Sequence, residues 1–244
     1  MEILGIDVGG SGIKAAIVNI EKGKPVSERH RIATPKPAKP APMATVVHEL
    51  VEHFNWKGTV GCGFPAVIVD GKATTSGNID KEWVGVQVDQ LFGEVCGLPF
   101  KVGNDADVAG LAEMKFGTGK GKKGMVILVT IGTGLGTGVF YNGQLVPNIE
   151  LGRIFHTDGR PIEYFAADSA RKKENLSLED WAKRFDFFLN HVNRIFSPNY
   201  FIIGGGQSKK LDDFKKYLTV PVPIEVAKFK NMAGIVGAAM YAAL

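Results

Sequence analysis

The sequence predicts an α/β protein built as two similar lobes facing a cleft. Short β-rich apolar runs alternate with segments of helical period. Three of those runs, at Ile3-Leu4-Gly5-Ile6, residues 125–129 and residues 200–203, each lead into a glycine cluster. The clusters are Gly9, Gly10 and Gly12; Gly132, Gly134, Gly136 and Gly138; and Gly204, Gly205 and Gly206. Moreover, Ile3, Ile6, Val8 and Gly9 align with Val126, Val129, Ile131 and Gly132 at a constant shift of 123 residues, about half of the 244. A duplicated unit explains that shift. Its expected lobes are residues 1–110 and 111–244, with the last helix free to pack back on the first lobe.

The elements follow in order. The first strand, Ile3 to Val8, enters a glycine loop and a second β-rich run over residues 13–20, with a turn at residues 21–24. Residues 34–42 read T-P-K-P-A-K-P-A-P, which prolines hold out of helix. Met43, Val46, Val47, Leu50, Val51 and Phe54 then fall on one helical face. A helix over Asp105–Phe116 begins with cap-type residues. The second glycine loop leads into a strand at residues 138–141 and a turn at Asn142-Gly143. Leu178–Phe196 is a long amphipathic helix with Ser177 as N-cap and Ser197-Pro198 as stop. An alanine-rich helix over residues 232–244 closes the chain.

Composition excludes several classes. The chain is 45% hydrophobic and 22% charged, which is ordinary for a globular protein. No apolar run reaches the ~18 residues of a membrane span, and Met-Glu-Ile-Leu-Gly does not open a secretion signal. Two cysteines, Cys62 and Cys96, make no disulfide framework and read as reduced thiols of a cytoplasmic protein. The net charge of +4 suits an anionic ligand and calls for neither nucleic acid nor membrane. Glycine is the outlier, 31 of 244 residues against a usual ~7%.

The glycine loops are the first chemical candidates. In Asp7-Val8-Gly9-Gly10-Ser11-Gly12-Ile13-Lys14, glycines let N–H groups approach phosphate oxygens, Ser11 adds a hydroxyl and Lys14 a charge. Asp7, at the strand end, is placed to hold a Mg²⁺-bound water. The motif is neither a P-loop nor a dinucleotide fingerprint, since a strand follows it. Gly132-Thr133-Gly134 repeats the same context, and Gly204, Gly205 and Gly206 suit the nucleotide side of a donor site. Plain structural turns are the alternative for each loop. Asn104 and Asp105, where a strand meets a helix, suit either helix capping or proton abstraction from a hydroxyl during phosphoryl transfer.

Together D-V-G-G-S-G-I-K, N-D-A-D-V-A-G-L-A-E, G-T-G-L-G-T-G and E-L-G resemble the ROK group of bacterial sugar kinases, within the actin/hexokinase-like superfamily. The segments L-V-P-N-I-E-L-G, Y-F-I-I-G-G-G-Q-S-K-K and N-I-D-K with Trp83 are most similar to the polyphosphate glucokinase branch. The resemblance implies two ribonuclease H-like (actin-like ATPase) lobes and transfer of a phosphoryl group from polyphosphate or ATP to the 6-OH of glucose. It implies Asp105 as catalytic base, and Asn78, Asn104, Glu150 and Glu163 as sugar contacts. Asp7, Gly9, Gly10, Ser11, Gly12 and Lys14 then form the first phosphate loop, with Gly132, Thr133 and Gly134 in the second. Mg²⁺ as cofactor and a homodimeric assembly are also implied.

Two departures stand out. The zinc motif common in the family, C-x-C-G-x-x-G-C, has no counterpart, so no structural zinc is expected. The family's E-x-G-H is here Glu150-Leu151-Gly152-Arg153, which puts a permanent, donor-only charge at a sugar-side position. Arg153 either binds sugar hydroxyls, fills the pocket or pairs with Glu150. An ATP-dependent kinase of another hexose, or a non-catalytic sugar- or phosphate-binding relative, are the rival readings. Lysines at 120, 122 and 123, at 209 and 210, and Arg171 with Lys172 and Lys173 are candidates for a polyphosphate track.

Overall fold

The computed structural model describes residues 1–244, which fall into two compact units: Met1–Phe116 with Asn231–Leu244, and Gly117–Lys230. In the first, β1 (Glu2–Gly9) and β2 (Gly12–Asn19) form a hairpin, followed by β3 (Lys24–Pro25) and β4 (His30–Ile32). Next come α1 (Pro40–His53), β5 (Val60–Phe64), the small hairpin β6 (Ile68–Val69) and β7 (Lys72–Ala73), α2 (Val88–Cys96), β8 (Phe100–Asn104) and α3 (Asp105–Phe116). The strand order is β3-β2-β1-β5-β8, with β4 also on β2 and with β1, β5 and β8 parallel.

The second unit repeats that plan. It contains β9 (Met125–Ile131), β10 (Leu135–Tyr141), β11 (Gln144–Val146), α4 (Glu163–Ala166), α5 (Asp168–Lys173), α6 (Leu178–Phe196), β12 (Tyr200–Gly205), α7 (Leu211–Phe214) and β13 (Ile224–Val226). Its order, β11-β10-β9-β12-β13, matches the first sheet strand for strand. Both hairpins start at positions 123 apart, Glu2 and Met125, then Gly12 and Leu135. No helix is long and apolar enough to cross a membrane.

Each sheet buries one face under a helix chosen by its apolar stripe. Leu4, Ile6 and Val8 pack with Met43, Val47 and Leu50 of α1. In the second unit Ile127, Val129 and Ile131 share a core with Trp181, Phe185, Phe188, Leu189 and Val192 of α6. Ser177 caps α6 by accepting from the Asp180 N–H at 3.0 Å, as its sequence predicts. The proline-rich stretch differs from expectation: α1 begins inside it, at Pro40. Prolines in a first helical turn lose no hydrogen bond, because those N–H groups have no partner in the helix. After α7, a single 3-10 turn over Lys215–Tyr217 leads the chain toward β13.

The closing helix α8 (Ala233–Tyr241) belongs to the first unit, where it covers the other face of β1 and β5. It lies so close that a Cβ on Gly5 would strike the Ile235 carbonyl oxygen, and one on Gly61 the Ala238 oxygen. A Cβ on Gly237 would strike the Val108 oxygen of α3. Part of the glycine excess is therefore spent on backbone approach between α8, the sheet and α3, far from any loop.

Candidate functional site

In the first unit the candidate residues converge on one sheet edge, at the C-terminal ends of parallel strands. Asp7 of β1 is level with Gly63 of β5, and Gly63 with Gly103 of β8. Two strand spacings, about 10 Å, thus separate Asp7 from Gly103, two residues before Asp105. The Gly10-Ser11 tip joining β1 to β2 is exposed, and none of Gly9, Gly10 and Gly12 has a left-handed backbone. Their value is small size rather than unusual conformation. The tip is braced from behind, where the buried Thr34 hydroxyl donates to the Gly9 carbonyl.

Asp7 and Lys14 face each other across β1 and β2 and form an ion pair at 3.0 Å. Gly234, in the first turn of α8, leaves room for the Asp7 carboxylate: a Cβ there would sit 2.7 Å from Asp7 Cγ. No set of three or more His, Cys, Asp or Glu side chains is grouped to hold a metal ion. One carboxylate fits an outer contact to Mg²⁺ that arrives on the donor's phosphates. It does not fit a cation cage made by the protein alone.

Asn104 ends β8 with its side chain 4% exposed. Its Oδ1 accepts from the Ala106 N–H at 2.9 Å and the Asp107 N–H at 3.1 Å, while its Nδ2 donates to the Ala66 carbonyl at 3.1 Å. These are the bonds of a helix cap. Asp105, half-buried in the first turn of α3, accepts from the Ala106 N–H at 2.7 Å. The exposed Asn78 follows Gly77, whose φ of +50° and contact with the Pro65 carbonyl exclude a side chain there. Residues 65–66 therefore tie the Asn78 turn to the Asn104 cap.

In the second unit β10 organises the sugar-side candidates. The Thr137 hydroxyl donates to the Ile149 carbonyl at 2.6 Å and accepts from the Leu151 N–H at 2.9 Å, which fixes the segment carrying Glu150. Gly152 sits against the Leu135 carbonyl. Glu163, opening α4, accepts from the Leu135 N–H at 3.3 Å. Burial raises the Glu163 carboxyl above its ordinary pKa, and the Leu135 N–H and Arg153 charge offset that in part. Arg153 is exposed. Its charge is felt at Glu163, a relation that spacing along the chain did not suggest.

The donor-side loops of this unit are linked to each other. Ser169 of α5 donates to the Thr133 carbonyl, and its neighbour Asp168, 4% exposed, bonds Gln207 in the turn after β12. Burial pushes Asp168 up, but Lys172, Arg171 and Gln207 together hold it below the ordinary carboxylate range. Gly132 donates its N–H to the Gly134 carbonyl at 3.1 Å, so that group closes the turn. Gly205, at φ +77°, is pressed against the Ile131 backbone, while Gly206 has open space where a side chain would be. Among the lysine candidates, Lys122 is paired with Glu225 at 2.6 Å and lies over the Tyr200 ring; Arg171 and Lys172 are paired with Asp168. Lys209 and Lys210 are exposed beside the Gly204–Gly206 turn.

Two sheets of identical order, each opening with a glycine hairpin, define an α/β protein of the actin-like ATPase class, with a carboxylate and an exposed glycine turn on one edge. The ROK family matches residues 3–152. A polyphosphate glucokinase of Mycobacterium tuberculosis is 41% identical over 97% of this chain and 89% of its own length. That of Mycobacterium leprae is 39% identical over 97% and 73%. Among solved structures, an inorganic polyphosphate/ATP-glucomannokinase from Arthrobacter sp. strain KM superposes with a TM-score of 0.95 at 40% identity, covering 99% of this chain and 98% of that one. A ROK family glucokinase from Streptomyces griseus shares the fold, at a TM-score of 0.82 and 23% identity over 98% of both chains. The chain belongs to the ROK family.

Proposed function

We propose that the chain is a sugar kinase that transfers the terminal phosphoryl group of polyphosphate or ATP to glucose, at the 6-hydroxyl. Near full-length similarity to the polyphosphate glucokinases and to the glucomannokinase supports the donor and acceptor classes. The observation that carries the chemistry is Asp105, set on the same sheet edge as Asp7 and the Gly10-Ser11 turn. A carboxylate is needed there because a sugar hydroxyl is a weak nucleophile until its proton is being removed. As the hydroxyl oxygen bonds phosphorus, its proton passes to Asp105. The phosphorus–oxygen bond to the remaining chain breaks, and its electron pair leaves with that chain. The turn amides and Lys14 hold the charge that builds on the transferred group. Asp7 would hold a donor-bound Mg²⁺ through water, and the ion would supply neutralising charge for the leaving oxygens.

Asn78, Glu150, Glu163 and Arg153 are the sugar contacts of this reading, and Asn104 acts by fixing where Asp105 stands. The enzyme is taken as a cytoplasmic homodimer. Replacing Asp105 by Asn tests the base: turnover falls about 10²–10⁴-fold while the melting temperature holds. Turnover within a few-fold of the parent removes Asp105 from that role. Arg153, where the family has histidine, favours one further reading, an ATP-dependent kinase of another hexose. Purified protein assayed with several sugars against ATP and polyphosphate separates the two, and phosphorylated sugar in no combination leaves a binding protein.

A further inference from the structure

We propose that Arg31 is a binding residue for the donor's phosphate chain, a role that rests on the kinase reading. The strand register shows why. Asp7 of β1 lies opposite Lys14 of β2, and Lys14 lies opposite Arg31 of β4. Directly opposed residues point to the same face, so the three form one row across three strands. Its charges run minus, plus, plus. Asp7 is paired with Lys14, and no carboxylate lies within ion-pair distance of Arg31. Two cations set directly across from each other repel, and an anion on the row removes that repulsion.

Arg31 is also positioned rather than loose. Its Nη2 donates to the Ser11 carbonyl at 2.6 Å. The guanidinium lies over Gly12, where a Cβ would collide with it, so the glycine preserves the place of the arginine. One of its five N–H groups is thereby used and the planar fork keeps donors for phosphate oxygens. The Gly10-Ser11 tip that this arginine touches is the turn whose amides are proposed to hold charge on the transferred phosphoryl group. The chemistry is that of a phosphate chain, supplied by either polyphosphate or ATP.

The test uses the full chain with Arg31→Gln and Arg31→Lys. Binding of polyphosphate and of ATP is measured by calorimetry over a salt series, beside turnover, glucose KM and melting temperature. Arg31→Gln, which keeps an amide for the Ser11 carbonyl but no charge, is expected to weaken donor binding about tenfold, or about 1.4 kcal/mol. Its binding also falls less steeply with salt, as one fewer phosphate is neutralised. Arg31→Lys stays within a few-fold of the parent, and glucose KM is unchanged in both. A loss with both donors places the guanidinium at the end they share; a loss with polyphosphate alone places it on the part ATP lacks. Either supports the assignment. Parental binding and salt dependence in Arg31→Gln overturn it, as do equal losses in both variants with the parental salt slope, which mark a mere brace. If Arg31→Gln does not fold, Arg31→Met replaces it under the same criteria. Because binding is read separately, a parent that binds donor without turnover refutes the kinase reading and leaves this test intact.

Discussion

Replacing Asn104 by Ala separates two roles that one side chain was expected to fill. The structure commits its Oδ1 to the Ala106 and Asp107 N–H groups and its Nδ2 to the Ala66 carbonyl. Alanine removes the cap of α3, worth about 1 kcal/mol. It also strands a carbonyl in a region where Ala66 is 3% exposed, which costs about 1–3 kcal/mol more. The sum is about 2–4 kcal/mol, and at about 2–4 °C per kcal/mol for a chain of this size the melting temperature falls by about 5–15 °C. Thermal melts read that shift, and steady-state kinetics read the accompanying loss of kcat as Asp105 loses its fixed position. Asn104→Asp keeps both capping acceptors but not the Ala66 donor, and falls between parent and alanine variant. A variant that melts within about 2 °C of the parent yet has a tenfold higher glucose KM refutes the capping account and restores Asn104 as a sugar ligand.

Two further variants probe the rest of the frame. Gly237→Ala forces a methyl against the Val108 carbonyl, a backbone atom that yields little; a loss of about 3 kcal/mol is expected from denaturant unfolding. Glu163→Gln works in the opposite direction. Because burial raises the folded-state carboxyl, the folded chain binds that proton more tightly than the unfolded one. Stability therefore falls as pH rises through that window, and at neutral pH the charge is a cost. Removing it leaves the melting temperature at pH 7 at or above the parent's, with the gap closing below pH 4.5, while glucose KM rises. A lower melting temperature at pH 7 than at pH 4 relative to the parent contradicts the sign.

By itself the sequence determined the repeated hairpin, the glycine turns, α3 and α6 nearly to the residue, and the pairing of Asn104 with Asp105. These are local: alternation, helical period, caps and turn residues act over a few positions, and the 123-residue shift exposes the duplication without any contact map. The tertiary structure alone decided what those residues touch. The cap bonds of Asn104 are local, but what holds its Nδ2 is the carbonyl of Ala66, 38 positions away. Gly5, Gly61 and Gly237 are glycine because α8 folds back from the chain's end onto the first sheet. Lys122, Arg171 and Lys172, candidate donor contacts by charge, are held by carboxylates. Arg31, which no motif marks, stands beside Lys14 only through the register of β2 on β4. A register is set by the packing of whole faces, and sequence proximity carries no trace of it.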